Sequence, residues 1–228
     1  MSTFYIVSTP IGNLEDITLR AIRILKEVDI VLCEDTRVTK RIFDKYGINT
    51  EMISYHSQSG EAKVDLIFEK INEGKNIALV TDAGTPGISD PGSMLVSRIR
   101  NDFKELILSG ELKIVTIPGA SALTSALSIS GVPTHEFIFL GFMPHKKGRE
   151  TLFKEIADSE RTIVFYESTH RILKTLESLS KINKKVTIAR ELTKIYEEVL
   201  SGSAEEILKI LNDFPEKQKG EFVVIVSN

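Results

Sequence analysis

Short apolar runs and amphipathic stretches alternate along the whole of this chain. Eight runs have the length and composition of buried strands, and they occupy residues 4–8, 30–33, 77–81, 113–117, 137–141, 162–166, 186–189 and 222–226. Between them, apolar residues recur at helical spacing within 19–25, 64–71, 121–130, 149–157, 169–179 and 203–212. This alternation predicts an α/β fold in which helices cover the faces of β-sheets.

A break in the pattern follows the fourth run. The sequence Ile117-Pro118-Gly119-Ala120 ends a predicted strand with two residues that interrupt regular structure. We place a domain boundary there, which predicts an N-terminal α/β domain of residues 1–117 and a C-terminal α/β domain of residues 118–228. One continuous sheet with an ordinary loop at this point is the alternative that composition leaves open.

Composition excludes several classes of protein. The 228 residues carry a net charge of −3, and no apolar run reaches the ~18 residues that span a bilayer. The first residues lack the basic region of a signal peptide. The single cysteine, Cys33, excludes an intrachain disulfide and a multi-cysteine metal site, and the four histidines lack metal-ligand spacing. We expect a cytoplasmic protein with neither a membrane nor a metal as partner.

A loop rich in glycine and proline follows the run at 77–81. Residues 81–92 contain three Gly, two Pro and two Asp, and such a loop presents backbone groups to a ligand. A tight connection without a ligand is the alternative. Asp82 and Asp90 resemble a paired acid/base site, but short carboxylates in such loops more often bond nearby backbone N–H groups. The Gly-rich dinucleotide and Walker A signatures are absent.

Polar, turn-rich segments end six of the eight predicted strands. They lie at residues 8–16, 34–37, 82–92, 118–121, 166–171 and 190–194. Because the carboxyl ends of parallel strands share one edge of a sheet, these segments are expected to converge on a ligand site.

The same segments resemble the tetrapyrrole methylase superfamily and, within it, a family of 16S ribosomal RNA 2′-O-ribose methyltransferases that act on a cytidine of the decoding centre. The matching sequences are Y-I-V-S-T-P-I-G-N-L-E-D-I-T at 5–18, C-E-D-T-R at 33–37, the glycine-rich loop, P-G-A-S-A at 118–122, G-F-M-P at 141–144, Y-E and H-R within 166–171, and R-E-L-T-K at 190–194. They occur in the family's order and cover nearly the whole chain.

The resemblance implies an S-adenosyl-L-methionine-dependent methyltransferase with two α/β domains and a cofactor cleft between them. It also implies a homodimer whose partner is 16S rRNA or the small ribosomal subunit. The cofactor-binding residues carried over by motif are Pro10, Gly84, Thr85, Gly87, Ile88, Ser121, Ala122, Tyr166 and Leu192.

Polar motif residues are then the candidates for the substrate side: Glu34, Asp35, Arg37, Glu167, Arg171, Arg190, Glu191 and Lys194. Our catalytic hypothesis makes Glu191 the proton acceptor or orienter of the ribose hydroxyl, with Arg190 or Lys194 stabilising charge. A salt-bridged structural pair is the alternative. Thr169 stands where close relatives usually have proline, and we expect it to cap the helix that follows.

Two other functions remain open. One keeps the fold and cofactor but methylates a tetrapyrrole, although relatives that do so carry Gly-Asp-Pro where this chain has Gly84-Thr85-Pro86. The other is a non-catalytic S-adenosylmethionine-binding ribosome-assembly factor. The basic cluster Lys146-Lys147-Gly148-Arg149 is either part of an RNA-binding patch or a solvated turn.

Overall fold

The computed structural model describes residues 1–90, 92–144 and 147–228. These residues form two compact units, Met1–Ser121 and Ala122–Asn228. The division follows Ser121, a few residues beyond the boundary that we placed after Ile117. Lys146, from the basic cluster, lies outside the described residues.

The first unit is built on a sheet of five parallel strands in the order β3-β2-β4-β1-β5. The strands are β1 (Ser2–Val7), β2 (Ile30–Cys33), β3 (Glu51–Ser54), β4 (Ile77–Leu79) and β5 (Leu112–Ile117). The helices are α1 (Leu19–Glu27), α2 (Thr36–Tyr46), α3 (Glu61–Asn72), α4 (Gly92–Asp102) and α5 (Lys104–Ser109), with a 3₁₀ turn at Leu14–Asp16.

Helices cover both faces of this sheet because successive strand residues point to opposite sides. Ile24 of α1 and Phe43 of α2 share one core cluster with Val31 of β2. Ile67 of α3 lies in the other cluster, with Leu32. Full burial of such side chains stabilises the fold by about 1.5–3 kcal/mol each.

The second unit contains a mixed five-stranded sheet in the order β6-β7-β10-β8-β9, in which only β6 and β7 pair in parallel. Its strands are β6 (Phe137–Phe142), β7 (Thr162–Ser168), β8 (Lys185–Arg190), β9 (Glu198–Gly202) and β10 (Glu221–Ser227). Its helices are α6 (Ala122–Ser130), α7 (Arg149–Asp158), α8 (Ile172–Leu179) and α9 (Ala204–Asp213), with a 3₁₀ turn at Pro215–Gln218.

One core cluster joins α7, α8 and α9 to this sheet. Ile156, Leu176 and Ile207, one from each helix, pack with Phe165 of β7 and Val224 of β10. Helix α6 contacts β8, β9 and β10. In the described part of the chain, no helix is both long and apolar enough to cross a membrane.

The α/β fold predicted from the alternation is confirmed, whereas several elements were not predicted. Strands β3 and β9 lie at sheet edges and are only partly buried, so they lack a long apolar run. Helices α2, α4 and α5 were also missed, although Leu95 and Ile99 of α4 are buried at helical spacing. The predicted helix at 169–179 begins only at Ile172.

Candidate active site

The carboxyl ends of the parallel strands form one edge of the first unit, and the loops there are joined by hydrogen bonds. After β1 and β4, Thr9 and Gly84 form a two-residue antiparallel bridge, in which Thr9 N donates to Gly84 O at 2.9 Å and Gly84 N donates to Thr9 O at 3.1 Å. Thr9 Oγ1 also donates to the carbonyl of Thr81 at 2.9 Å. β1 and β4 are neighbours in the sheet, but the chain continues from them in opposite directions, from β1 to β2 and from β4 to β5. Open α/β sheets bind ligands beside the carboxyl ends of such a pair of strands.

A chain of hydroxyl groups adds the loop after β5 to this edge. Thr85 Oγ1 donates to the carbonyl of Ala120 at 3.2 Å and lies 2.9 Å from Ser8 Oγ. Because Thr85 has a single hydroxyl proton, Ser8 is the donor to Thr85. A Cβ on Gly119 would lie 2.9 Å from Ser8 Cβ, so the close approach requires glycine. Ser8 and Gly119 lie within matching motifs but were missing from the predicted site residues.

The glycine-rich loop is shaped by Asp90. Its Oδ1 accepts hydrogen bonds from Gly87 N at 2.8 Å and Gly92 N at 2.7 Å, which confirms the local role expected for this carboxylate. Asp82 also accepts from a backbone N–H, but that group is not local in sequence: Asp35 N, 47 residues away, donates to Asp82 Oδ1 at 3.0 Å and so links the loops after β2 and β4. Pro10 is buried beside the Thr9 bridge.

The carboxyl groups beside this edge have pKa values that are shifted in opposite directions. Burial, followed by the charge of Asp82, raises the pKa of the Glu34 carboxyl, and burial also raises the pKa of Asp82. Hydrogen bonds from Arg37 lower the pKa of Asp35 to about 2. Thr81 Oγ1 donates to Glu34 Oε2 at 3.3 Å. Among the described residues, no group of acidic, histidine and cysteine side chains is arranged to hold a metal ion.

The raised pKa of Glu34 predicts a pH-dependent change in stability. A carboxyl whose folded pKa lies above its unfolded pKa stabilises the fold below the unfolded value, and this contribution is lost as pH rises through the folded pKa. Ionised Glu34 therefore lowers stability at neutral pH. We expect Glu34→Gln to raise the melting temperature at pH 7 by only about 1–2 °C, because solvent screens this half-buried group. Near pH 3 we expect no difference, because the Glu34 carboxyl is then protonated and as neutral as the glutamine amide.

Calorimetry at both pH values, with the exposed Glu69→Gln variant as control, checks this expectation. A lower melting temperature of Glu34→Gln at pH 7, or a gain that persists at pH 3, contradicts it.

In the second unit, Tyr166 lies at the carboxyl end of β7 against the first turn of α6. Its ring packs edge-on against Phe139 and Phe142, with centroids 5.0 and 5.3 Å away. Burial raises the pKa of the Tyr166 hydroxyl, and a hydrogen bond with the backbone N–H of Leu123 opposes the rise. Two predicted cofactor residues, Tyr166 and Ala122, are therefore close to each other.

The predicted catalytic residues lie at the end of β8, at the same edge as the start of β10: Arg190 is the last residue of the strand, and Glu191 and Lys194 lie in the loop after it. Glu191 Oε1 accepts hydrogen bonds from Lys194 Nζ at 2.8 Å and from Glu221 N at 3.1 Å, while Lys194 Nζ also donates to the Glu221 carboxylate at 2.9 Å. Burial raises the pKa of Glu191, but the bonds from Lys194 and Glu221 outweigh burial and the net shift is downward. The salt bridge named as the alternative is present, and it makes Glu191 a weak proton acceptor.

Arg190 is engaged with the chain around it. Its residue surface is 6% exposed, and its guanidinium donates to the carbonyls of Tyr196 and Lys219, each at 3.2 Å, and to Glu198 at 3.4 Å. The catalytic role of Arg190 stays a prediction, and these contacts give it a structural role. Leu192, a predicted cofactor contact, is buried in the same loop.

Glu167 was expected on the substrate side, and the structure corrects this expectation. Its side chain is fully buried, and Glu167 Oε1 lies 2.9 Å from Arg171 Nε, while Oε2 accepts from Thr175 Oγ1 at 2.6 Å. Successive residues of a strand point to opposite faces, so Tyr166 and Glu167 cannot face the same site. Arg171 also donates to the carbonyl of Met143 at 2.6 Å.

Two further expectations for this unit are corrected. Arg149, from the basic cluster, is buried, with its NH2 group 3.5 Å from Glu167 Oε2, and so is not part of a solvent-facing patch. Thr169 does not cap α8, because its hydroxyl donates to Gly220 O at 2.6 Å and accepts from Gly220 N at 3.0 Å.

The model of the tetrapyrrole (corrin/porphyrin) methylase family matches residues 3–208. A protein of Halalkalibacterium halodurans named ribosomal RNA small subunit methyltransferase I is 44% identical over 98% of this chain and 75% of its own length. A Thermotoga maritima protein of the same name is 41% identical over 100% of this chain and 99% of its own length.

Among solved structures, uroporphyrin-III C-methyl transferase from Thermus thermophilus, complexed with S-adenyl homocysteine, matches with a TM-score of 0.63. The match covers 100% of this chain and 98% of that one at 18% identity, and it shows a shared fold. The chain therefore belongs to the tetrapyrrole methylase family and, within it, to the ribosomal RNA small subunit methyltransferase I family.

Proposed function

We propose that this protein transfers the methyl group of S-adenosyl-L-methionine to the ribose 2′-oxygen of a cytidine in the decoding centre of 16S ribosomal RNA. The observation that carries the proposal is 41–44% identity to relatives named for small-subunit ribosomal RNA methylation, across 98–100% of the chain. The motif resemblance supports the choice of a ribose on a cytidine, and it also supports a cytoplasmic homodimer.

The joined loops of the first unit suit this methyl donor, which supplies an activated methyl group on a positively charged sulfur. Gly84, with a φ of +88°, fixes the course of its loop through the two hydrogen bonds to Thr9, and the neutral hydroxyls of Ser8 and Thr85 hold the loops in place. Gly87 N already donates to Asp90, so Gly87 supports the loop's shape. We assign donor binding to the residues that the motifs predict: Pro10, Gly84, Thr85, Gly87, Ile88, Ser121, Ala122, Tyr166 and Leu192.

The ion pair of the second unit supplies two functions that methyl transfer to a hydroxyl needs. Ionised Glu191 accepts a hydrogen bond from the ribose hydroxyl and orients it, Lys194 stabilises the negative charge that develops on the oxygen, and the hydroxyl proton leaves to solvent. Holding the reacting atoms in line contributes up to ~7–11 kcal/mol to lowering such a barrier. Arg190 contributes by fixing the backbone around this pair.

Replacement of Glu191 tests this assignment. We expect Glu191→Gln to lower kcat for methyl transfer about 10- to 100-fold, because the neutral amide accepts a weaker hydrogen bond from the hydroxyl and orients it less firmly. Affinity for S-adenosylmethionine should remain within about twofold, since a neutral, same-sized side chain leaves the loops of the first unit intact. Steady-state kinetics and calorimetric titration measure the two quantities.

Glu221→Gln is the matched control, because Glu221 also pairs with Lys194 but is 78% exposed. Unchanged kcat in Glu191→Gln, or an equal loss in both variants, removes Glu191 from the mechanism.

Methyl transfer with purified protein tests the function itself. Small ribosomal subunits from cells that lack the gene are incubated with methyl-labelled S-adenosylmethionine, and the RNA is digested to nucleosides. We expect the label on the ribose of cytidine. Label on a base, no label in this RNA, or transfer to a tetrapyrrole instead would overturn the proposal.

A further inference from the structure

The loop between β8 and β9, residues 191–197, has an unusual backbone. Glu191 has a φ of 51° and Thr193 a φ of 66°, so two non-glycine residues separated by a single residue adopt left-handed conformations. Strained conformations of this kind persist where the surrounding structure imposes them, and they concentrate at functional sites.

Hydrogen bonds hold this loop in one conformation. Lys194 N donates to Glu191 O at 3.0 Å, and Glu197 N donates to Lys194 O at 3.1 Å. The Glu197 carboxylate accepts from the backbone N–H of Thr193, and Arg190 holds the carbonyl of Tyr196 at 3.2 Å. The tip of the loop is therefore fixed by contacts at both of its ends.

The fixed tip presents two large apolar side chains to solvent. Ile195 is 94% exposed and Tyr196 is 70% exposed. In the part of the chain that the structure describes, the Tyr196 ring stacks on no other aromatic ring. Neither side chain contributes to the core clusters of the second unit. A rigid loop that displays an aromatic ring in this way matches the stacking platforms of proteins that bind single-stranded nucleic acid.

We propose that Tyr196, flanked by Ile195, stacks on an unpaired base of the RNA substrate. The inference rests on the proposed function and adds a residue that binds the RNA substrate. Tyr196 follows Lys194 by two positions, so the stacked base lies near the hydroxyl that Glu191 and Lys194 act on. Stacking needs no free positive charge. This suits a loop whose lysine, Lys194, is already paired with Glu191, and whose neighbour Arg190 is paired with Glu198.

A tryptophan reporter tests the contact directly, because the chain has no tryptophan of its own. In Tyr196→Trp, the indole becomes the only tryptophan and reports stacking by loss of its fluorescence. We expect saturable quenching when protein-free small-subunit RNA is added. Phe214→Trp is the matched control: Phe214 is 49% exposed in the same unit but contacts Lys217. Equal quenching of both variants, or none in Tyr196→Trp, overturns the proposal.

Kinetics separate stacking from a general effect on folding. Tyr196→Ala should raise the KM for small ribosomal subunits about 10- to 100-fold, the range that loss of one stacked base predicts. Tyr196→Phe should restore the wild-type KM, and binding of S-adenosylmethionine should be the same in all three proteins. An unchanged KM in Tyr196→Ala overturns the inference while wild-type methyl transfer still supports the proposed function.

Wild-type protein without methyl transfer would instead end the proposed function itself. Exposed apolar side chains such as Ile195 and Tyr196 also occur where two copies of a chain form a dimer contact. Dissociation of a dimer by Tyr196→Ala, with the KM for RNA unchanged, would assign the tip to that contact and overturn the proposal; sedimentation of both proteins measures it.

Discussion

Replacement of Glu167 by alanine should lower the free energy of unfolding by about 3–5 kcal/mol, because it leaves buried arginines without their counter-ion. The Glu167 side chain has no exposed surface, and those of Arg149 and Arg171 are only 9% and 17% exposed. Arg171 also holds the carbonyl of Met143, and Arg149 that of Pro144, so the segment after β6 loses its anchor as well. Chemical denaturation monitored by circular dichroism measures the change.

Two variants make this test specific to the buried network. Glu167→Gln keeps the shape and the hydrogen-bond acceptor but loses the charge, so we expect a smaller loss of about 1–3 kcal/mol. Glu136→Gln removes the partner of Arg161 in an exposed pair of the same unit, and its loss should stay below about 1 kcal/mol. Equal losses for Glu167→Ala and Glu136→Gln would show that burial of the Glu167 ion pairs adds nothing to stability.

Replacement of Gly220 by alanine should displace Glu191 and thereby reduce methyl transfer. Gly220 has a φ of +103°, and a Cβ there would lie 2.5 Å from Cγ and Cδ of Glu191. Glu191 cannot move aside without breaking its bonds to Lys194 and to Glu221 N. We expect a loss of stability of about 1–3 kcal/mol, together with a fall in kcat similar to that of Glu191→Gln.

Gly131→Ala separates the strain of a positive φ from the clash with Glu191. Gly131 has a φ of +68° in the same unit, but a Cβ there meets nothing within 4 Å. It should lose stability by about 1–2 kcal/mol and keep its kcat. A Gly220→Ala protein with wild-type kcat would show that the position of Glu191 does not matter for the reaction. Denaturation and steady-state kinetics on the two variants supply the comparison.

The sequence predicted the fold class because buried strands and amphipathic helices leave local patterns. Edge strands β3 and β9 leave weaker ones, since solvent covers part of each. Strand order depends on contacts between distant residues, such as the pairing of Phe4 with both Ile77 and Ile114, and periodicity does not report such contacts.

The motifs name Thr85, and the structure places it at the sheet edge, where its hydroxyl bonds to Ser8 and to Ala120; its contact with the donor stays a prediction. The substrate-side role predicted for Glu167 was wrong, because adjacent residues of a strand point to opposite faces of the sheet. Tyr166 and Glu167 are neighbours in one motif, yet only Glu167 is buried among arginines. Thr169 was expected to cap a helix, but it bonds to Gly220, 51 residues away, which no local pattern predicts.

Calorimetric titration of the wild-type protein with S-adenosylmethionine tests whether the joined loops around Thr85 hold a methyl donor. We expect saturable heat with one donor bound to each chain. Absence of saturable binding by the folded protein would show that these loops do not hold the donor.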